Sequence, residues 1–225
     1  MINKKQKGFT LVEIAIVLVI VGLLIGGVLK GQEMITNAKL KRIESDNAGL
    51  AAALFSYQDR YLQLPGDDSG ASDRFDIYAL ASTPITANGG GDGVIGDGAD
   101  WDTVVQGSGS GWTNGSTNET SKFFGHLRAA GLIPGGSGTD ATRPTNAYGG
   151  LIGIQNGSLN MAGTATIFGQ IEGAIARILE ARLDDNAADT GRMRGQLVAA
   201  GMGATTAPAN PTYAESGRYN LAFRL

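Results

Sequence analysis

The sequence predicts an α+β protein: a long N-terminal α-helix, apolar in its first half and amphipathic in its second, joined to a glycine-rich head of short strands and helices. Three observations predict it. No proline occurs between Phe9 and Leu64, and helix formers dominate that stretch. After Pro65 the composition swings toward Gly, Ser, Thr and Asn. Beyond the swing, short apolar or alternating runs recur between turn residues, as strands do, and one longer run has helical spacing.

From Phe9 to Leu29 the only ionisable side chain is Glu13. A run of about 21 residues is roughly 30 Å long as a helix, enough to cross a bilayer. A secretory signal has a shorter apolar core and a small-residue cleavage site after it, whereas GGVLKGQEMI follows here. Lys4, Lys5 and Lys7 precede the span, and Lys30, Lys39, Lys41 and Arg42 follow it, so charge bias leaves the orientation open. An acid inside an apolar span is costly, which predicts a function and a partner for Glu13. The alternative is a Glu close enough to the interface to stay hydrated.

Past the span, Leu40, Ile43, Asn47, Leu50, Leu54, Tyr57 and Tyr61 step by three and four along one stripe, which should bury against the head. Lys39, Lys41, Arg42, Glu44, Asp59 and Arg60 occupy the opposite, solvated or subunit-facing side. Gly22, Gly26, Gly27 and Gly31 are positions where the helix could loosen. LQLPGDD ends it, because Pro65 cannot continue a helix and Gly66 supplies a turn.

In the head, Asn88 to Gly115 reads as long loops. SKFFGHLRAAGLIPG reads as a short helix with Ser121 near its start and Gly131 near its end. GLIGI, TATIF, RGQLVAA and YNLAFRL are candidate strands. GQIEGAIARILEARLDDN places Ile171, Ile175, Ile178 and Leu179 at helical spacing and predicts a second head helix. The organisation expected is residues 1–8 as a leader, 9–29 as the membrane span, 30–64 as the amphipathic helix and 65–225 as the head.

The formal charge of −3 gives no bulk signal for nucleic acid. With no cysteine and one histidine, most nucleophile–base arrangements are unavailable, so no enzyme is predicted; His126, beside two phenylalanines, reads as core or surface. NGGGDGVIGDGADWD places Asp92, Asp97, Asp100 and Asp102 among glycines, a candidate calcium loop because hard cations need several oxygen ligands from flexible turns. Its spacing is not that of an EF-hand, and a plain acidic loop is the competing reading. Asp184 and Asp185 read as a capping or turn pair. Trp112 reads as a partly buried anchor in a polar loop, and the Asn114, Asn118 and Asn156 sequons as chance matches.

A short basic leader ending in Gly8, then Phe9, then an apolar helix with Glu13 at its fifth position, KGFTLVEIAIVLVIVGLL, resembles the type IV prepilin family, which includes the pseudopilins of type II secretion. The resemblance implies that a prepilin peptidase cuts after Gly8 on the cytoplasmic side and methylates the new amino group of Phe9. It implies a pilin-like fold, with an antiparallel β-sheet head packed on the amphipathic half of the helix. In a filament, Glu13 would pair with the amine of a neighbouring subunit, so that two charges costly to leave alone in lipid neutralise each other and set register. Partners implied are the peptidase and methyltransferase, other pilin or pseudopilin subunits, an inner-membrane assembly platform, and membrane lipid before assembly. The location implied is the bacterial inner membrane first, then a cell-surface or periplasmic filament. No cofactor is required. Losing Lys4, Lys5 and Lys7 would leave 15 bases against 21 acids, a charge of −6.

The chain departs from many major pilins in lacking a proline shortly past the span and a disulfide closing the C-terminal region. Those departures favour a minor pilin or pilin-like subunit. A secretion pseudopilin is one alternative, and a membrane-anchored binding module that does not polymerise is another.

Overall fold

The computed structural model describes residues 10–75, 88–96, 119–135, 143–198 and 212–225. The chain divides into two compact units, Met1–Lys41 and Arg42–Leu225. Helix α1, Leu11–Tyr61, is 51 residues long and contributes to both. It passes through Gly22, Gly26, Gly27 and Gly31 unbroken. Its end falls three residues short of the expected Leu64. Leu62 takes a left-handed backbone (φ 55) there, with its N–H donated to the Gln58 carbonyl at 2.8 Å, so the chain turns before Pro65 is reached.

In the first unit, the apolar side chains from Leu11 to Leu29 point outward all round the helix, with Leu11 92% exposed. A helix apolar on every side and uncovered by its own chain is one built for lipid or for other helices. This stretch is long and apolar enough to cross a membrane.

In the second unit, a four-stranded antiparallel sheet has the order β1-β2-β4-β3. The strands are β1 Ile152–Asn156, β2 Thr164–Glu172, β3 Met193–Leu197 and β4 Arg218–Arg224. A turn (Ala71–Arg74, α2) and two helices, α3 Glu119–Ala129 and α4 Gly173–Leu183, complete the described elements. Of the expected stripe within this unit, Ile43, Leu50, Leu54 and Tyr57 are buried, and Asn47 and Tyr61 half-buried. Asn47 shares a short hydrogen bond with the Thr166 hydroxyl of β2, which places α1 on that face of the sheet. Thr166 pairs with Phe223, and Phe168 meets Phe223 edge-on at 5.4 Å on the same face. The other face buries Ala165, Ile167 and Ala222 against Leu159 and Met161. Both faces being covered, β2 and β4 are buried along most of their length.

Helix α3 begins at Glu119, with Ser121 near its start, in the first turn. Gly131 does close it, with φ 68 and its N–H on the Arg128 carbonyl at 2.9 Å. Ile171 belongs to β2, where it pairs with Tyr219, and not to the following helix. The strand runs directly into α4 through Glu172, whose extended backbone (φ −63, ψ 139) makes the junction. Ile175 and Leu179 are buried, but Ile178 is 38% exposed.

Both sheet edges are closed. On β1, the Asn156 N–H donates to the Ile95 carbonyl at 2.9 Å and the Ile152 N–H to that of Pro144 at 2.8 Å. On β3, the Gly195 N–H donates to the Ala188 carbonyl at 2.9 Å. Covering an edge removes a template for unwanted strand pairing. The C-terminal strand β4 sits in the middle of the sheet, bonded on both sides, and this takes the place of a disulfide in holding that end.

Candidate functional site

Gly8 and Phe9 lie outside the described residues, which begin at Thr10. Thr10 is the N-cap of α1: its hydroxyl accepts the Glu13 N–H at 3.3 Å and its carbonyl accepts the Ile14 N–H at 3.3 Å. Thr10-Leu11-Val12-Glu13 has the T-x-x-E spacing of a capping box, and its Thr half is formed. Glu13 therefore sits in the first turn, where the helix dipole favours a carboxylate. Sequence reasoning stressed Glu13 and missed Thr10, although the four-residue signature was legible.

The second site of concentrated polar chemistry is the LPGDD turn after α1. Asp68 is fully buried and accepts the Tyr57 hydroxyl at 2.6 Å, the Gly70 N–H at 2.9 Å and a short contact from Arg74. Burial alone would raise its carboxyl, but these donors outweigh burial and hold it below the usual carboxylate range. Burial, reinforced by the Asp68 charge, pushes the Tyr57 hydroxyl up. Gly66, with φ 93, donates its N–H to His126 Nδ1 at 2.9 Å, so the lone histidine is a buried acceptor that pins the turn to α3.

Asp67, also buried, reaches the glycine-rich loop. Its Oδ1 accepts the N–H groups of Gly91 at 2.5 Å and Asp92 at 3.0 Å, and its Oδ2 that of Gly93 at 2.7 Å. Glu119 holds the same loop through the Gly90 N–H at 2.6 Å and the Gly96 N–H at 3.0 Å. Lys122, whose ammonium is lowered by burial, donates to the Asn88 carbonyl at 2.7 Å. A glycine at Gly89 is required, since a Cβ would lie 2.2 Å from the Asp67 carbonyl carbon.

Asp92 does stand near Asp67 and Glu119, in a group close enough to hold a cation. The donor set does not fit calcium, however. The oxygens of Asp67 and Glu119 face backbone N–H groups, which a cation would have to displace, and not carbonyls that could join them as ligands. Asp97, Asp100 and Asp102 lie outside the described residues, as do Trp112, Asn114 and Asn118.

A third cluster joins the end of α4 to β3 and to Tyr213, ahead of the C-terminal strand. Glu180 is buried, its Oε2 accepts the Tyr213 hydroxyl at 2.7 Å, and Oε1 has no hydrogen-bond partner among the described residues. Burial raises its carboxyl to about 7 against the opposing Tyr213 bond. Asp184 accepts the Met193 N–H at 2.6 Å, and Asp185 accepts the Ala187 N–H at 3.0 Å and the Thr190 hydroxyl at 2.7 Å. Asp184 and Asp185 thus shape the turn, as their sequence context predicts.

These clusters are structural ties. The remaining functional feature is the N-terminal segment. Comparison with characterised proteins and with solved structures gives no match. The sequence profile of the prokaryotic N-terminal methylation motif matches residues 3–29, spanning the basic leader, Gly8, Phe9, Glu13 and the apolar start of α1. The match covers this N-terminal segment alone, which has the pattern of the class III prepilin leader found in type IV pilins and pseudopilins.

Proposed function

We propose that the chain is a minor pilin or pilin-like subunit of a type IV pilus or related filament, cut after Gly8 and methylated on Phe9 by a prepilin peptidase. The observation that carries this reading is the methylation motif running without interruption into a helix whose apolar side chains are exposed on all sides. Such a surface has two favourable environments. It faces lipid in the inner membrane before assembly and the helices of other subunits afterwards, where shape packing replaces lipid contact.

Cleavage creates a positive amine on Phe9, about one helical turn from Glu13. Pairing that carboxylate with a neighbour's amine neutralises both charges in an apolar core and fixes register. Thr10, by capping the helix at its first turn, holds the backbone that presents Glu13. The absence of a helix-breaking proline beyond the span and of cysteine supports a minor or pilin-like role over a major pilin.

Gly8→Val tests the processing step. A β-branched side chain before the cut is expected to leave uncleaved precursor in membranes; efficient processing of that variant would overturn the leader assignment.

A further inference from the structure

Helix α1 carries two different apolar features within the second unit, on opposite flanks. On one flank Phe55 is 55% exposed, although it stands on a helix whose buried stripe excludes water. One turn on, exposed Asp59 lies on the same side. A single exposed apolar residue is ordinary, so Phe55 matters as a ridge only through what it fits.

On the other flank lies a groove of about 360 Å³. Leu50, Leu132, Ile133, Pro134 and Ile152 give it an apolar lining. Gly49 opens its mouth, since a Cβ there would meet nothing within 4 Å. At 100° per residue the groove positions Arg42, Ser45, Asp46 and Gly49 centre roughly 130° around the helix from Phe55. The two features therefore cannot meet within one chain.

They do fit each other across two chains. A cavity of about 150 Å³ accepts a benzene-sized ring, so the groove has room for a phenyl group and part of a second side chain. Arg42 and Arg128 line the groove against a single acid, Asp46, while Asp59 accompanies the ridge. Arg42 and Asp46 stand 3.7 Å apart, beyond hydrogen-bond length, so the pair leaves Arg42 able to turn toward an incoming carboxylate.

We propose that Phe55 of one copy seats in the groove beside Gly49 of a second copy, with Asp59 facing Arg42, so that copies join head to tail. This contact rests on the reading of the chain as a polymerising subunit and names the surface by which heads would meet. Its geometry has the required property. A contact between two different patches is heterologous and propagates, whereas a Phe55-to-Phe55 contact would close as a dimer and stop.

The full chain contains no cysteine, so introduced thiols report only on themselves. Gln58→Cys, exposed one turn on from Phe55, and Gly49→Cys, in open surroundings, both leave Phe55 in place. The double variant, treated in whole membranes and in sheared filaments with a short bismaleimide, is expected to give a ladder of dimers, trimers and longer species. The two single variants mixed in one cell should give dimers only, and either alone none. Dimers from Gln58→Cys alone would overturn the head-to-tail contact. So would double-variant chains in sheared filaments without a ladder, an outcome that leaves the filament reading intact. A ladder in membranes from chains that never reach filaments would uphold the contact and overturn the filament reading; neither ladder nor filament would overturn both.

Discussion

Glu180→Gln should stabilise the protein at alkaline pH and leave it unchanged in acid. The carboxyl is buried with one oxygen on the Tyr213 hydroxyl and the other unpartnered among the described residues, and burial lifts it from 4.5 to about 7. The folded value lies above the unfolded one. Stability from the protonated form is therefore fully present below pH 4.5, fades as the pH rises through about 7, and is gone above that. At about 1.4 kcal/mol per pH unit, ionising Glu180 costs about 3 kcal/mol by pH 8. Glutamine keeps an oxygen for the Tyr213 hydroxyl and places an uncharged group where the second oxygen was, so it mimics the neutral acid at every pH. The difference between variant and parent also cancels the contributions of other carboxylates, including Asp68, whose lowered value makes it act in the opposite direction. Urea unfolding of the detergent-solubilised full chain, followed by tyrosine fluorescence from pH 4 to 9, reads the difference directly. The expected result is no difference near pH 4, growing to about 3 kcal/mol by pH 8. A difference constant with pH would refute the reasoning.

Asp67→Ala removes the acceptor for three loop N–H groups and is expected to cost about 2 to 4 kcal/mol and to speed hydrogen exchange at Gly91, Asp92 and Gly93 selectively; unchanged exchange there would mean the loop is held by other contacts. Because those carboxylates already hold backbone donors, millimolar calcium should leave the thermal midpoint unchanged, and a rise would show a cation site in the acidic loop after all. Thr10→Val removes the cap of α1 and should raise exchange in the first turn, with a cost of about 1 kcal/mol, while leaving membrane insertion intact; protection equal to the parent would show that the cap is idle.

The sequence exposed the helix and the sheet unequally. The span and the buried stripe were legible because spacing by three and four, without proline, has one physical solution. The strand runs were found, yet β2 was read as stopping at Phe168. It continues through a bulge at Gln170 (φ 63) to Glu172, and nothing local in GQIE marks where strand yields to helix. Pairing with β4 across the sheet extends the strand, which is a tertiary effect. The acidic loop shows the reverse error. Asp92 was noticed for its glycines, while the residues that organise the loop, Asp67 and Glu119, come from a distant turn and a helix start. Sequence distance hid that association, although LPGDD itself was in view. Thr10 is legible only through its T-x-x-E spacing to Glu13, since a lone threonine ahead of an apolar run carries no signal of its own.

The central claim is that this chain is processed at Gly8 and polymerises through α1. Intact mass of the protein from membranes and from sheared filaments tests it most directly. The account predicts a species beginning at methylated Phe9 in the sheared fraction. A full-length species confined to membranes would contradict it and would leave a membrane-anchored head that does not assemble.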